Sequence, residues 1–169
     1  KAREWYLKAA DQGDAKAQFN LGVLYNEGLG VDEDPSTAFT WYRKSAEQEL
    51  PEGQYVMGYM YSNGMGIDQD YVKAREWYLK AANQDYAPAQ FELGYMYDNG
   101  DVVRQDYVKA REWYLKAAKQ NDSVAQFNLG ILYSEGHGVN RNNTQAKEWF
   151  GKACDNGNQD GCEEYRNLN

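Results

Sequence analysis

The sequence predicts an all-α solenoid built from stacked antiparallel helix pairs. One observation is a constant spacing of 36 residues between tryptophans, which stand at Trp5, Trp41, Trp77, Trp113 and Trp149. Another is the segment KAREWYLKAA, which occurs at residues 1–10, 73–82 and 109–118. With only 3 prolines, the composition also favours helix over sheet. A fixed period of this length is typical of arrays in which each helix pair buries its apolar face against its neighbours.

The tryptophan-containing segment of each period is expected to be one helix of the pair. In the first copy, Ala2, Trp5, Tyr6, Ala9 and Ala10 follow the i, i+3, i+4, i+7, i+8 spacing of one helix face. We expect the Trp and Ala columns to form a continuous core rather than a ligand cage. The helix starts are marked by a capping column, Asp34, Asp70, Asp106 and Asn142, and by Pro35 at a first helical position.

The segment AQFNLGVLY and its repeats are expected to form the other helix. Ala17, Leu21, Leu24 and Tyr25 share one face. A glycine inside this helix costs about 1 kcal/mol relative to alanine, so we expect close contact with a neighbouring helix to offset it. That glycine column is Gly22, Gly58, Gly94 and Gly130. A second glycine column is expected to end these helices with positive φ, at Gly28, Gly64, Gly100 and Gly136.

The pattern AQFNLGVLYNEGLGVDED, followed by WYRKSA, resembles the Sel-one-like repeat (SLR) family, which is related to tetratricopeptide repeats. The resemblance covers essentially the whole chain and implies a right-handed α/α superhelix. It also implies that the Leu-Gly helix is the first of each pair and lines the concave side, with the Trp helix second and outside. The loop at Gly100-Asp101-Val102-Val103 lacks the family's second glycine and is expected to bend differently.

The repeat boundaries predict one solenoid domain over residues 1–169. Residues 1–15 are expected to be the second helix of an incomplete repeat, whose first helix would precede residue 1. The complete repeats are expected at 16–51, 52–87, 88–123 and 124–159, followed by a C-terminal capping helix at 160–169.

The composition argues against several classes of partner. Lysine plus arginine total 18 against 26 acidic residues, a formal charge of −8, so binding to nucleic acid is not expected. No apolar run approaches the roughly 18 residues of a membrane helix, so membrane insertion is not expected either. No signal peptide is visible, although residue 1 is a lysine inside a repeat.

Catalytic and metal-binding motifs are not evident. His137, the only histidine, stands in a Gly-x-Gly loop, where a tolerant surface position is a better interpretation than a catalytic base. No serine is followed three residues later by lysine, which disfavours a hydrolase acting on cell-wall peptides or β-lactams. Neither zinc nor calcium spacing is present. We therefore predict a non-catalytic protein without a metal or another cofactor.

Cys154 and Cys162 replace an alanine and a glutamine of the repeat. Their spacing resembles that of the cysteine-rich secreted bacterial members of the family, in which such a pair is a disulfide. Two reduced cysteines lodged in the core are the alternative. A disulfide would place the protein in the periplasm or outside the cell, while a cytoplasmic location stays open.

The first helices are expected to present a row of large side chains to a partner protein or peptide. This predicted groove is lined by Phe19, Val23, Tyr55, Tyr59, Phe91, Tyr95, Phe127 and Ile131. Its predicted rim is Asn26, Glu27, Ser62, Asn63, Asp98, Asn99, Ser134 and Glu135, which favours a partner segment carrying lysine or arginine. Alternatively, the aromatic residues at 19, 55, 91 and 127 are core. A scaffold or adaptor is the favoured function, ahead of a secreted host-interaction factor or a toxin-neutralising immunity protein.

Overall fold

The computed structural model describes residues 2–100 and 102–168, and within these it contains ten helices and no strand. The side chain of Ala2 and the predicted bend at Asp101 lie outside the described residues. The chain divides into two compact units, Lys1–Gln84 and Asp85–Asn169. In unit 1 the helices are α1 (Ala2–Asp11), α2 (Ala15–Asn26), α3 (Pro35–Glu47), α4 (Pro51–Asn63) and α5 (Tyr71–Ala82). In unit 2 they are α6 (Ala87–Asn99), α7 (Tyr107–Ala118), α8 (Ser123–Glu135), α9 (Asn143–Asp155) and α10 (Gln159–Asn167).

Within each unit every helix packs against the next one along the chain. The Leu-Gly helices α2, α4, α6 and α8 are called first helices below, and the Trp helices α1, α3, α5, α7 and α9 are called second helices. Both units bury small residues of the second helices against Leu or Met of the first helices. In unit 2, for example, Ala110 and Ala117 are fully buried beside Leu129. The predicted arrangement of stacked antiparallel pairs is therefore present in each unit.

The predicted caps of the second helices are confirmed. The Asp34 and Asp70 carboxylates each accept a hydrogen bond of 3.0 Å from a first-turn backbone N–H. Asp106 and Asn142 accept equivalent bonds of 3.1 Å. Gly64, Gly100 and Gly136 end their helices in the left-handed conformation. Helix α2 differs slightly because Glu27 is its cap, and Gly28 follows with φ of +65°.

The glycine column inside the first helices accommodates an aromatic ring from the second helix of the same pair. A Cβ atom built on Gly22 would lie 2.6 Å from the Tyr42 ring, and one on Gly58 would lie 2.6 Å from the Tyr78 ring. These distances are shorter than van der Waals contact, so no side chain fits there. The expected close contact is confirmed, and its partner is a ring rather than a helix backbone.

The expectation that the Trp column belongs to the core is wrong in part. Tyr42, Tyr78, Tyr114 and Phe150, one position after each tryptophan, are the buried rings of the second helices. Trp5 is 71% exposed, and Trp41, Trp77, Trp113 and Trp149 are half-buried. Adjacent residues on a helix lie about 100° apart, so only one of the two aromatic columns can point directly at the first helix.

A column of buried glutamines connects consecutive helices. The Gln18 side chain donates to the Ala10 carbonyl at 3.2 Å and accepts from Gln48 at 2.7 Å. In unit 2, the Gln126 side chain donates to the Ala118 carbonyl at 3.0 Å and accepts from Asn156 at 3.0 Å. Both glutamines thus bond to a carbonyl at the end of a second helix, which also accepts a backbone N–H from the turn that follows.

Candidate functional site

The deeper row of the predicted groove is supported by the buried rings. Phe19, Tyr55, Phe91 and Phe127 are half-buried. Each ring contacts the ring buried beneath the glycine of its own pair, with centroid distances of 5.4, 5.7, 5.9 and 5.6 Å, respectively. This row therefore packs on the core and is partly exposed, and its role in a partner-binding groove stays a prediction.

The outer row of the predicted groove is dominated by two tyrosines. Tyr59 is 44% exposed in unit 1, and Tyr95 is 48% exposed in unit 2. At the equivalent positions, Val23 packs against the core of unit 1, and Ile131 is half-buried. The deeper and outer positions of each unit are together called the first-helix stripe; its most exposed aromatic group is Tyr59 in unit 1 and Tyr95 in unit 2.

The predicted rim has defined geometry in unit 2. The Asp98 carboxylate accepts a hydrogen bond of 3.0 Å from the Tyr114 hydroxyl. Burial raises the pKa of Asp98, while the Tyr114 hydrogen bond and the nearby His137 act in the opposite direction and lower it. Glu135 lies 3.1 Å from Nδ1 of His137, whose ring stacks on Tyr107 at 4.4 Å. His137 therefore makes specific contacts, which its interpretation as a tolerant surface position did not predict.

The rim is less charged at the other predicted positions. Asn26 is half-buried, and Asn63 is exposed and donates a hydrogen bond of 2.8 Å to the Tyr59 carbonyl. Helices α4, α6 and α8 contain no lysine or arginine, and Lys16 is the single cation of α2. By contrast, α3, α5, α7 and α9 each contain at least two lysine or arginine residues. The first-helix stripe is therefore almost free of cationic side chains.

The second helices place a lysine over each tryptophan, a feature that the sequence reasoning missed. The Nζ atoms of Lys44, Lys80, Lys116 and Lys152 lie 4.1, 3.9, 3.9 and 4.2 Å from the ring centroids of Trp41, Trp77, Trp113 and Trp149. Each lysine follows its tryptophan by three residues, a spacing that brings side chains together on a helix. The recurring W-x-x-K spacing was the signal that could have indicated this cover.

A disulfide joins Cys154 to Cys162, with their Cα atoms 4.5 Å apart. The two cysteines occupy the positions of Ala118 and Gln126 in the preceding repeat. There, the glutamine side chain is hydrogen-bonded to the alanine carbonyl. A covalent bond thus joins α9 to α10 at the register where other helix pairs use a buried amide.

The described residues contain neither a metal-binding cluster nor a membrane-spanning helix. Residues 2–100 and 102–168 contain no group of three or more histidine, cysteine or acidic side chains arranged to hold a metal ion. In the same part of the chain, no helix combines the length and apolar character required to cross a bilayer.

Comparison with known proteins identifies the family. The Sel1 repeat pattern matches residues 1–14, 15–50, 51–86, 87–122 and 123–158. The chain therefore belongs to the Sel1 repeat family, whose members are typically protein-interaction scaffolds. No functionally curated protein matches the chain.

Solved structures with the same fold support this assignment. One is c5321, a protective antigen of uropathogenic Escherichia coli with an SLR fold, at 38% identity and a TM-score of 0.92. A Sel1 repeat protein from Oxalobacter formigenes is 36% identical, with a TM-score of 0.91 over 97% of this chain and 68% of that one. Cysteine-rich protein B of Helicobacter pylori is 31% identical, with a TM-score of 0.62 over 78% of this chain and 94% of that protein. The predicted all-α SLR solenoid class is confirmed. The c5321 match covers 98% of this chain, which spans only 36% of the length of that antigen.

Proposed function

We propose that this chain is a non-catalytic protein-interaction module that binds a partner segment along the first-helix stripe. The observation that carries the proposal is a pair of exposed tyrosines, Tyr59 and Tyr95, on helices α4 and α6, which contain no lysine or arginine. Tyr59 and Tyr95 each leave more than two fifths of their surface open to solvent. Aromatic groups that rest on a packed core supply large contact area with little loss of side-chain entropy on binding.

The charge around the stripe supports a partner segment that carries lysine or arginine. Asp98 and Glu135 contribute carboxylates at the rim in unit 2, and the first helices contribute almost no cations. A cationic segment would therefore gain favourable electrostatics at the stripe and would lose affinity as salt is added. An anionic segment would find no matching charge there.

The proposal can be tested with a peptide library displayed on phage and selected against the folded protein. Selected peptides are then titrated against the Tyr59→Ser, Tyr95→Ser double variant. We expect enrichment of sequences with basic and apolar residues, and at least a tenfold loss of affinity in the variant, which is about 1.4 kcal/mol.

A matched control is available because Tyr71 and Tyr165, on the other helices, are 45% and 39% exposed. The Tyr71→Ser, Tyr165→Ser variant should bind the selected peptides as the unchanged protein does. Equal losses in both variants, or a loss of helicity in the stripe variant, would count against the stripe as the binding surface.

We further propose that the protein works outside the reducing cytosol, in the periplasm or as a secreted bacterial factor. The support is the Cys154–Cys162 disulfide and the similarity to a protective antigen and a cysteine-rich protein. Protein isolated from its native source under acid quench should contain no free thiol. Two free thiols per chain would contradict this location.

A further inference from the structure

The side of unit 1 that carries the tryptophans contains a cleft that the proposed function does not use. It has a volume of about 520 Å³ and is lined by Ala46, Glu47, Glu49, Gln54, Trp77, Lys80, Asn83 and Gln84. One side of Trp77 packs against the core of unit 1. The ring also carries the ammonium group of Lys80, 3.9 Å from its centroid. The cleft is therefore walled by an aromatic ring that already holds a cation.

The lining of this cleft also includes a free carboxylate. Among the described residues, the Glu49 carboxylate has no hydrogen-bond or ion-pair partner, although its backbone carbonyl accepts a bond of 3.0 Å from Gln84. Glu47 is held differently, because it pairs with Arg43 at 3.5 Å. The Gln84 amide also donates to Gln54 at 2.9 Å, which holds these two polar side chains of the lining together.

From this geometry we propose that the cleft binds a guanidinium group, as carried by an arginine side chain, with Trp77 as the stacking surface and Glu49 as the counter-charge. A planar guanidinium stacks on indole and offers paired N–H donors to a carboxylate, two contacts that the resident lysine cannot make together. Lys80 has a flexible stem and an exposed head, so an incoming guanidinium can displace it into solvent. The site lies apart from the first-helix stripe and does not depend on the function proposed for it.

Unit 2 provides a natural control because the same cleft recurs two repeats later with different charges. That cleft has a volume of about 320 Å³ and includes Trp149 and Lys152 in the same roles. Lys119 and Asn121 replace Glu47 and Glu49 there, and Asp155 replaces Asn83. The lining thus includes two lysines and one carboxylate in unit 2, whereas it includes one lysine and two carboxylates in unit 1. The proposal therefore assigns guanidinium binding to the cleft of unit 1 alone.

The test uses N-acetylarginine amide as the probe and the indole N–H signals of Trp77 and Trp149 in proton–nitrogen NMR spectra of the whole chain as the readout. N-acetylcitrulline amide, a neutral molecule of nearly the same shape, is the matched control ligand. We expect a saturable shift of the Trp77 signal in the millimolar range with the arginine probe alone. Choline, a cation without N–H donors, should bind at least threefold more weakly than the arginine probe. Equal binding of choline, equal shifts with citrulline, or equal shifts at Trp149 would overturn the proposal.

Two variants make the result specific to the proposed contacts. Glu49→Gln keeps the size of the side chain and should weaken binding of the arginine probe at least fivefold. Lys80→Ala removes the competing cation and should strengthen binding two- to fivefold, an effect that a merely structural lysine would not produce. Unchanged affinity in Glu49→Gln, or weaker binding in Lys80→Ala, would contradict the assignment. The Tyr59→Ser, Tyr95→Ser variant should bind the probe normally, so failure here is distinguishable from failure of the stripe.

Discussion

The tryptophans of the second helices and the tyrosines of the first-helix stripe differ in how the chain covers them. On the second helices, each of Trp41, Trp77, Trp113 and Trp149 is half-buried and carries a lysine at about 4 Å. On the first helices, Tyr59 and Tyr95 are nearly half exposed, and no lysine or arginine stands on their helices. Tryptophan is the larger aromatic group, yet a lysine of the same helix covers its ring. The contrast indicates that the absence of a covering lysine, rather than residue size, marks a surface that a partner can contact without displacing a resident side chain.

The largest expected effect concerns the ring that supports the stripe from below. Gly58→Ala would place a methyl group 2.6 Å from the buried Tyr78 ring, on which Tyr55 rests. We expect a net loss of about 2 kcal/mol in the free energy of unfolding, since overpacking outweighs the gain in helix propensity. Urea denaturation measures this change in the free energy of unfolding, and Ser62→Ala in the same helix is the control. A change below about 0.5 kcal/mol would mean that the glycine is not required for packing.

A second prediction concerns the charge of the stripe in unit 2. Burial raises the pKa of Asp98, so this carboxylate becomes neutral at a higher pH than an ordinary aspartate. Binding of a cationic segment needs the ionised form, and affinity should therefore fall as pH drops through that raised pKa. We expect Asp98→Asn to lower affinity about threefold to tenfold at neutral pH and to remove this component of the pH dependence. Titrations of a selected basic peptide between pH 4 and 8 measure both effects. An unchanged pH profile in Asp98→Asn would exclude Asp98 from the binding surface.

A third, smaller effect tests the lysine cover directly. Lys44→Ala removes the cation over Trp41 and should reduce the free energy of unfolding by about 0.5–1 kcal/mol. Lys16→Ala, on the exposed surface of α2, is the matched control and should change stability by less. Tyr59→Ser should also cost little, because serine and tyrosine have similar helix propensities and the ring is uncovered. If Tyr59→Ser proves more destabilising than Lys44→Ala, the distinction between covered and uncovered aromatic residues does not hold.

Much of this fold follows from local sequence signals, whereas the distinction between the two faces does not. Asp34 and Gly64 act within one helical turn, so their roles as caps could be predicted from their positions alone. Which of Trp77 and Tyr78 is the buried ring could not be predicted in this way, since the two aromatic columns have the same period. It depends on which direction meets the glycine of the paired helix. The contact of Tyr114 with Asp98 similarly depends on a ring that crosses beneath the first helix to reach the rim.

The central claim is that partners contact the first-helix stripe, and site-specific photo-crosslinking in the native cell tests it most directly. Benzoylphenylalanine is introduced at position 59 or 95 on the stripe, and at position 71 or 165 on the other helices as controls of similar exposure. We predict that a discrete crosslinked partner is obtained from positions 59 and 95, that added salt weakens its capture, and that positions 71 and 165 yield none. Capture of the same partner from positions 71 or 165 but not from the stripe would contradict the account.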